Sequence, residues 1–268
     1  MALPALPDRY EYVSDPVLGE GGMGVVYRAR DRLLDKHVAI KVVRSELAAD
    51  PLFRRLFDSE LRAAARLAHP CIVPLHDTGE LASGAPFLAL AYADGGSVSA
   101  WVKRAPPWSA ILRMALDLLE GLAFVHATGA LHRDIKPANI LLYGRDRRAW
   151  IADLGLADNL GELTRSVGRT EGTPGYMAPE QALGRAQELG PSTDLYSVGV
   201  VLWQLVTGRR PFQRSYAGGE AGELPPMVVR EGLAVPAELD RILANMLAAD
   251  PLSRYDLAAD VATELRAL

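Results

Sequence analysis

Apolar and polar residues alternate in the first part of the chain, and the pattern changes to a helical spacing further on. Short β-prone segments divided by Gly-rich or Asp-rich turns are expected to form strands; they are residues 13–18, 25–30, 37–42 and 87–91. Pro51 opens a stretch that ends at His69-Pro70, where apolar residues recur at helical spacing. The turn residues 94–96 close this β-rich region.

Helical patterns dominate the second part of the chain. Ser109 is the predicted N-cap of an amphipathic helix that runs to Thr128. Further helices are predicted at 192–207, 236–249 and 257–268. Residues 153–180 show little periodicity, and loops of this length inside compact domains tend to be functional. The whole pattern predicts an α+β protein with a small β-rich lobe, a hinge near residues 90–94 and a larger helical lobe.

Composition narrows the class of protein only modestly. The chain has 268 residues, a formal net charge of −4 and 49% hydrophobic residues. The mildly acidic balance argues against a nucleic-acid partner, since such partners usually require a basic face. The single Cys71 excludes an internal disulfide and a zinc site built from several cysteines. No apolar run reaches the roughly 18 residues that span a bilayer, and no signal peptide is evident. We therefore expect a cytoplasmic domain, which a longer protein could anchor to a membrane.

Three glycines separate the first two predicted strands. Gly19, Gly21 and Gly24 would allow the backbone to approach a ligand, so that N–H groups point at phosphate oxygens. An ordinary Gly-rich hairpin explains the same pattern equally well. A second strand follows these glycines, whereas a dinucleotide-binding fold requires a helix at that position.

A lysine and a glutamate form a second candidate pair. Lys41 ends the strand segment Val38-Ala39-Ile40-Lys41, and Glu60 lies on the helix predicted after it. If the two side chains meet in space, the glutamate could hold the ammonium against two phosphates. The spacing alone does not show this contact, and a lysine at a strand end is more often simply solvated.

The segment His132-Arg133-Asp134-Ile135-Lys136-Pro137-Ala138-Asn139 is far more specific. Asp134 can accept a hydroxyl proton, Lys136 can neutralise a transferred phosphoryl group, and Asn139 can offer an amide oxygen to Mg²⁺. Asp153 then ends a short strand just before a glycine, where its carboxylate suits a metal that bridges two phosphates. A chance loop with this cluster is improbable.

Together these motifs resemble the eukaryotic-type protein kinase family, and most of all its bacterial Ser/Thr members. The resemblance runs from Tyr12 to Leu268. It implies a two-lobed kinase domain over 10–268. In this domain, residues 10–91 would form a small N-lobe with an antiparallel sheet and one helix, residues 92–97 the hinge, and residues 98–268 a mainly helical C-lobe. It also implies transfer of the ATP γ-phosphoryl group to Ser or Thr hydroxyls of proteins, with Mg²⁺, or alternatively Mn²⁺, as the metal.

The resemblance assigns roles to individual residues. Asp134 would be the catalytic base and Lys136 would contact the γ-phosphate. Lys41 would hold the α- and β-phosphates and pair with Glu60. Asn139 and Asp153 would bind the metal. The remaining nucleotide-binding residues would be those of the Gly-rich loop, the adenine pocket and the hinge: Leu18, Gly19, Glu20, Gly21, Gly22, Met23, Gly24, Val26, Ala39, Leu90, Ala91, Ala93, Asp94 and Leu141. Core packing is the ordinary alternative for the apolar members of this set.

Specificity and architecture follow from the same resemblance. Lys136, two residues after the base, and Thr173, which would hydrogen-bond the catalytic Asp and Lys, are typical of kinases that act on Ser and Thr. Glu180 would pair with Arg254, and Asp194 would anchor the catalytic loop from a buried helix. Residues 215–236 resemble poorly the helix that often docks substrates in the family, which places docking predictions in doubt.

Regulation by autophosphorylation is a hypothesis at this point. Thr164, Ser166 and Thr170 lie between Asp153 and Thr173, and a phosphate on one of them could order the loop through arginine contacts, including Arg133. A solvated polar loop is the alternative.

Two other functions remain open. One is a kinase-shaped binding module without turnover, although such proteins usually lack one of Lys41, Asp134 or Asp153. The other is a kinase that acts on small molecules. The expected partners are protein substrates, and we consider a homodimer formed through the N-lobe.

Overall fold

The structure is a computed structural model that describes residues 3–64, 67–154, 175–212 and 223–268, without the side chains of residues 60, 63 and 64. The described chain forms two lobes. Five strands build the first lobe: β1 (Tyr10–Glu20), β2 (Gly24–Asp31), β3 (Lys36–Val43), β4 (Leu75–Glu80) and β5 (Pro86–Ala91). They form one antiparallel sheet in the order β1-β2-β3-β5-β4. Two helices, α1 (Ser45–Ala48) and α2 (Pro51–Ala64), follow β3.

Side chains alternate between the two faces of the sheet, and each face packs against different residues. Tyr27, Ala29, Val38 and Ile40 are buried together on one face. The opposite face presents Val43 and Leu88 to Phe53 and Phe57 of α2, which are almost fully buried. Because side chains two residues apart share a face, Lys41 lies on the α2 side, next to Val43. The sheet thereby directs a buried lysine toward the second lobe.

A buried carboxylate ties the start of the chain to this sheet. Asp31, at the end of β2, is fully buried and accepts hydrogen bonds from the backbone N–H groups of Leu33 and Leu34. The Arg9 guanidinium lies 2.8 Å from its Oδ2 and holds the pKa of Asp31 below its ordinary value. Arg9 also reaches Asp77 on β4, at 2.9 Å. Arg9 therefore supplies the cation for a charge that is otherwise buried.

Helices dominate the second lobe: α3 (Val98–Arg104), α4 (Trp108–Ala127), α5 (Pro179–Ala182), α6 (Pro191–Thr207), α7 (Leu239–Met246) and α8 (Ala258–Arg266). A hairpin of β6 (Ile140–Tyr143) and β7 (Arg148–Ile151) lies between α4 and α5. The core joins residues of α4, α6, α7 and α8 with this hairpin. Buried residues occur all around α6, as expected of a helix that lies at the centre of a lobe. In the described part of the chain, no helix is long and apolar enough to span a bilayer.

The predicted α+β architecture is confirmed, with a small antiparallel sheet and a larger helical lobe. Several element boundaries were wrong. The helix predicted up to His69 ends at Ala64 within the described residues, and residues 67–69 are not helical. The last two helices are shorter than predicted, at Leu239–Met246 and Ala258–Arg266. Helix ends depend on local capping, which the apolar spacing does not encode.

The predicted N-cap at Ser109 was also wrong. Helix α4 starts at Trp108, and Pro107 occupies the N-cap position in an extended conformation. The Pro107 carbonyl accepts hydrogen bonds from the N–H groups of Ala110 and Ile111, at 3.0 and 3.2 Å. Ser109 lies inside the helix, so the proline carbonyl, and not the serine side chain, begins the hydrogen-bond series.

Within the Gly-rich segment, close packing requires a glycine at position 24. A Cβ at this position would overlap the Val42 carbonyl oxygen on β3, and it would lie 2.9 Å from the Val42 carbonyl carbon. We expect Gly24→Ala to lower the free energy of unfolding by about 1–3 kcal/mol, because backbone on a central strand cannot move aside easily. Urea denaturation measures this change.

Gly19→Ala is the matched control for Gly24→Ala. No atom lies within 4 Å of a Cβ at Gly19. Its unfolding free energy should therefore stay within about 0.5 kcal/mol of the unsubstituted chain. Equal stability of the two variants would contradict the proposed overlap.

Candidate active site

A buried aspartate on α6 holds the loop that carries Asp134. The Oδ2 and Oδ1 atoms of Asp194 accept the backbone N–H groups of His132 and Arg133, at 2.8 and 2.7 Å. The Nε2 atom of His126 lies 2.8 Å from Oδ2. Burial alone would raise the pKa of Asp194, but the hydrogen bond from His126 and those from the backbone bring it below its ordinary value. The predicted anchoring role of Asp194 is confirmed.

His132 connects this loop to the strand that leads to Asp153. Its Nδ1 accepts the backbone N–H of Asp134 at 3.2 Å, so its Nε2 carries the proton that is donated to the Ala152 carbonyl at 2.9 Å. The imidazole is fully buried in this neutral tautomer. Sequence reasoning assigned no role to His132, because both of its partners are backbone groups that only the fold brings close.

Two polar side chains of the catalytic motif converge on the carboxylate of Asp134. Lys136 Nζ lies 2.6 Å from Asp134 Oδ2, and Asn139 Nδ2 donates to the same oxygen at 3.0 Å. Asn139 Nδ2 also donates to the Asp134 backbone carbonyl at 2.9 Å. These contacts fix the orientation of the Asn139 amide, since its nitrogen must face the two acceptors. The amide oxygen Oδ1 is therefore left as a ligand atom.

A second charged pair spans the two lobes. Lys41 Nζ lies 2.5 Å from Asp153 Oδ1. Enclosure in the cleft would raise the pKa of Asp153, and the Lys41 ammonium outweighs this effect, so that the pKa lies below its ordinary value. Asp153 has a φ of 60°, in the left-handed region that few residues other than glycine adopt. The strand lysine of the first lobe and the carboxylate of the second lobe thus face the same cleft.

A divalent metal suits the oxygen atoms that this cleft offers. Mg²⁺ prefers hard oxygen ligands and usually takes one or two from the protein, with substrate phosphates completing its shell. The Asp153 carboxylate is ionised, and the Asn139 amide presents its oxygen because its nitrogen is already engaged. The donor set therefore fits the metal that the sequence implied, and both residues remain predicted ligands.

The Gly-rich segment connects β1 to β2, as the sequence indicated. The Gly21 N–H donates to the Gly24 carbonyl at 2.9 Å and closes the turn. Glu20 Oε1 lies 2.6 Å from Arg44 Nη2, and the Arg44 N–H donates to the Met23 carbonyl at 2.9 Å. Arg44, the residue that follows β3, therefore holds the turn, a role that the sequence did not indicate.

The predicted adenine-pocket residues lie on neighbouring strands. Val26 pairs with Lys41, and Ala39 pairs with Leu90, so these side chains occupy consecutive positions across β2, β3 and β5. Leu141 lies on β6 in the second lobe. The pocket assignment agrees with these positions and stays a prediction.

Two hydrogen bonds hold the hinge in place. The Asp94 Oδ1 atom accepts the Gly144 N–H at 2.8 Å, and the Ala91 N–H donates to the Pro74 carbonyl at 2.9 Å. The resemblance to kinases would place Asp94 near the ribose, and Asp94 stays a predicted nucleotide-binding residue. Base recognition would use the other backbone groups near Ala91 and Ala93.

Several predicted residues lie outside the described part of the chain. The Glu60 side chain is one of them, so the Lys41–Glu60 pair stays a prediction. Thr173 and the phosphorylation candidates Thr164, Ser166 and Thr170 fall in the range 155–174 and stay predictions as well.

A buried ion pair fixes the short helix α5. Arg254 Nη1 and Nη2 lie 2.8 and 2.9 Å from the two carboxylate oxygens of Glu180, and both side chains are almost fully buried. Thr193 Oγ1 donates to Glu180 at 2.8 Å, and Arg254 stacks over Tyr196. The predicted Glu180–Arg254 pair is confirmed.

A strand lysine and two loop acids that face one cleft between two lobes define a phosphoryl-transfer fold, in which positioning and charge stabilisation do most of the work. Residues 12–264 match the family model described as protein kinase domain. The chain belongs to the protein kinase family, as its motifs predicted.

Curated relatives point to bacterial kinases. The chain is 37% identical over 277 residues to serine/threonine-protein kinase PknB of Mycobacterium leprae, with 98% of this chain covered, and 36% identical to pkn3 of Myxococcus xanthus. It spans 43% of the length of the first and 50% of the second. The crystal structure of the Mycobacterium tuberculosis PknI kinase domain matches with a TM-score of 0.74 at 30% identity, covering 100% of this chain and 99% of that one.

Proposed function

We propose that this chain is an ATP-dependent Ser/Thr protein kinase domain over residues 10–268. The observation that carries the proposal is the convergence of two charged pairs, Lys41–Asp153 and Lys136–Asp134, on one cleft. Asp134 accepts the proton of the substrate hydroxyl and orients its oxygen for attack. Lys136 neutralises charge on the transferred phosphoryl group, and Lys41 holds the neighbouring phosphates. The bacterial Ser/Thr kinases among its relatives support the acceptor class.

Asn139 and Asp153 would hold Mg²⁺, and Mn²⁺ is the alternative. When bound, the ion supplies charge that neutralises the phosphate oxygens. Asp134 orients the Asn139 amide, and Lys41 keeps Asp153 ionised, so these two residues prepare the ligands. Transfer assayed with each metal in turn decides between the two ions.

Transfer of the γ-phosphoryl group to a generic basic protein tests the proposal. We expect incorporation by the unsubstituted chain and a loss of about 10²–10⁴ in kcat for Asp134→Asn, which keeps the size of the side chain but removes the base. Equal incorporation by both proteins would contradict the assignment of the base and would indicate a contaminating kinase. Transfer to a small-molecule panel, with none to protein, would favour the small-molecule alternative.

The alternative of a binding module without turnover has less support. Lys41, Asp134 and Asp153 are all present, and the ion pairs Lys41–Asp153 and Lys136–Asp134 support their use in transfer. ATP binding without any transfer, in the same assay, would favour this alternative.

Autophosphorylation of Thr164, Ser166 or Thr170 is the regulatory part of the proposal. It rests on the positions of these residues in the sequence, between Asp153 and Thr173. Mass spectrometry after incubation with metal and ATP tests it. An active preparation in which all three residues are unmodified would remove the idea.

Protein substrates are the proposed partners, and self-association through the first lobe is a second proposal. Leu33 and Leu34, in the β2–β3 turn, expose 73% and 51% of their surface, which favours a contact there. Sedimentation analysis of the chain beside Leu33→Lys tests this, and a monomer in both samples would refute it.

We also propose that the domain works in the cytoplasm, where ATP is available, as part of a longer protein, as its relatives are longer than this chain.

A further inference from the structure

Gln181, on the short helix α5, contacts the loop that carries the base. Its Nε2 atom donates to the Arg133 backbone carbonyl at 2.6 Å. The Arg133 carbonyl belongs to the peptide bond that joins Arg133 to Asp134, so the contact lies one bond away from the backbone of the base. The sequence alone gives Gln181 no role.

Hydrogen bonds on both sides fix the plane of this peptide. Its carbonyl accepts from Gln181, and its N–H, which belongs to Asp134, donates to His132 Nδ1 at 3.2 Å. Because a peptide unit is planar, two bonds on opposite edges prevent it from rotating about the line between the flanking Cα atoms. The direction of the Asp134 side chain follows from that plane.

The local backbone makes the restraint more important. Arg133 has a φ of 62°, a left-handed conformation that costs energy for a residue other than glycine. Asp194 holds its N–H at 2.7 Å, and Gln181 holds its carbonyl. The surrounding side chains, and not the preference of the residue itself, therefore maintain this conformation.

The orientation of the Gln181 amide is set by the same contact. A carbonyl accepts only a donor, so the nitrogen faces Arg133 and the oxygen faces away. Gln181 Oε1 is buried and has no hydrogen-bond partner among the described residues. Leaving a buried acceptor unsatisfied is unfavourable, and the hydrogen bond from Nε2 to the Arg133 carbonyl offsets this cost.

Glu180, the residue before Gln181, holds the helix in place. Its bidentate ion pair with Arg254 is buried, and Thr193 of α6 donates to the same carboxylate, so α5 has a fixed position relative to α6. Gln181 is attached to that fixed helix and reaches the opposite way, to the catalytic loop. The chain thereby connects the segment that follows residue 174 to the residue before the base.

We propose that Gln181 is a positioning residue that fixes the Arg133–Asp134 peptide plane and, through it, the direction of the Asp134 carboxylate. This inference rests on the proposed kinase function, in which Asp134 is the base. Gln181 itself does not contact the reacting atoms. Its effect is therefore expected in kcat, whereas binding of ATP depends on groups such as Lys41 and Asp153, which Gln181 does not touch.

Gln181→Met tests the proposal in the 268-residue chain, because methionine has a similar volume and no donor. We expect kcat for transfer to protein to fall about 10- to 100-fold, since small misplacements of a catalytic group have effects of this size. The KM for ATP should stay within about twofold and the melting temperature within about 3 °C, as expected when one hydrogen bond is lost. Gln187→Met is the matched control, because Gln187 is exposed on the turn after α5.

Gln181→Glu adds a pH dependence of kcat, which altered packing alone would not produce. A protonated carboxyl can donate to the Arg133 carbonyl and an ionised one cannot, so the ratio of its kcat to that of the unsubstituted chain should rise as pH falls. Taking the ratio cancels the titration of groups that both proteins share, including Asp134, Lys136, Glu180 and His132.

Four outcomes decide the proposal. A kcat loss with unchanged ATP KM and melting temperature, together with a pH-dependent Gln181→Glu ratio, supports it. A kcat within twofold of the unsubstituted chain for Gln181→Met overturns it. A parallel loss of kcat, ATP affinity and melting temperature also overturns it and indicates a general structural role. If the unsubstituted chain transfers no phosphate, or if its transfer rate equals that of Asp134→Asn, the underlying kinase function is refuted instead.

Discussion

Asp153→Asn is expected to lower the rate of phosphoryl transfer by three orders of magnitude or more, roughly the scale of losing a main electrostatic group in an active site. The substitution removes the carboxylate charge that would hold the metal and leaves Lys41, only 9% exposed, without the partner that lies 2.5 Å away. Steady-state transfer with saturating ATP and metal measures the effect.

The fold should survive this substitution, which makes the result interpretable. Asp153 has a φ of 60°, and asparagine adopts the left-handed region more readily than most residues. Asp58→Asn is the matched control, since Asp58 is exposed on α2. If Asp153→Asn kept more than a tenth of normal turnover with an unchanged melting temperature, Asp153 would not be a metal ligand.

Arg254→Met is expected to destabilise the protein by about 3–5 kcal/mol, because it leaves the Glu180 carboxylate buried without a cation. Glu180 and Arg254 side chains are 1% and 0% exposed, so solvent cannot replace the lost partner. Urea denaturation followed by circular dichroism measures the change in the free energy of unfolding.

A surface ion pair offers the matched control for Arg254→Met. Arg241 lies 2.6 Å from Glu264, but its side chain is 60% exposed, so Arg241→Met should cost less than about 1 kcal/mol. The double variant Glu180→Leu/Arg254→Met removes both buried charges and should recover much of the lost stability. If it were no more stable than Arg254→Met alone, the isolated charge would not be the cause.

The chemistry of the site could be predicted from the sequence because much of it is local. Asp134, Lys136 and Asn139 lie within one short loop, so the residue types and their spacing were enough to predict that they share one site; the bonds of Lys136 and Asn139 to the Asp134 carboxylate are a finding of the structure. The strands and main helices were predicted because alternation and helical spacing reflect the burial of one face. The family resemblance supplied the pairing of Glu180 with Arg254 and the anchoring role of Asp194.

Contacts between distant residues and backbone groups were not predictable in the same way. His132 bonds to the Ala152 carbonyl, and Gln181 bonds to the Arg133 carbonyl. A carbonyl is present at every residue, so no residue type marks these acceptors in the sequence. Ser109 shows the converse, since it carries a side chain suited to an N-cap, while the fold places it inside a helix.

The attachment of Arg9 to Asp31 bears on where the domain can be trimmed. The family match starts at residue 12, and a recombinant form cut there would lack the guanidinium that faces a fully buried carboxylate on β2. Asp31 would then have to take up a proton or draw water into the sheet for the lobe to stay folded. We therefore expect the folding unit to extend at least to Arg9, beyond the residues 12–264 that the family model matches.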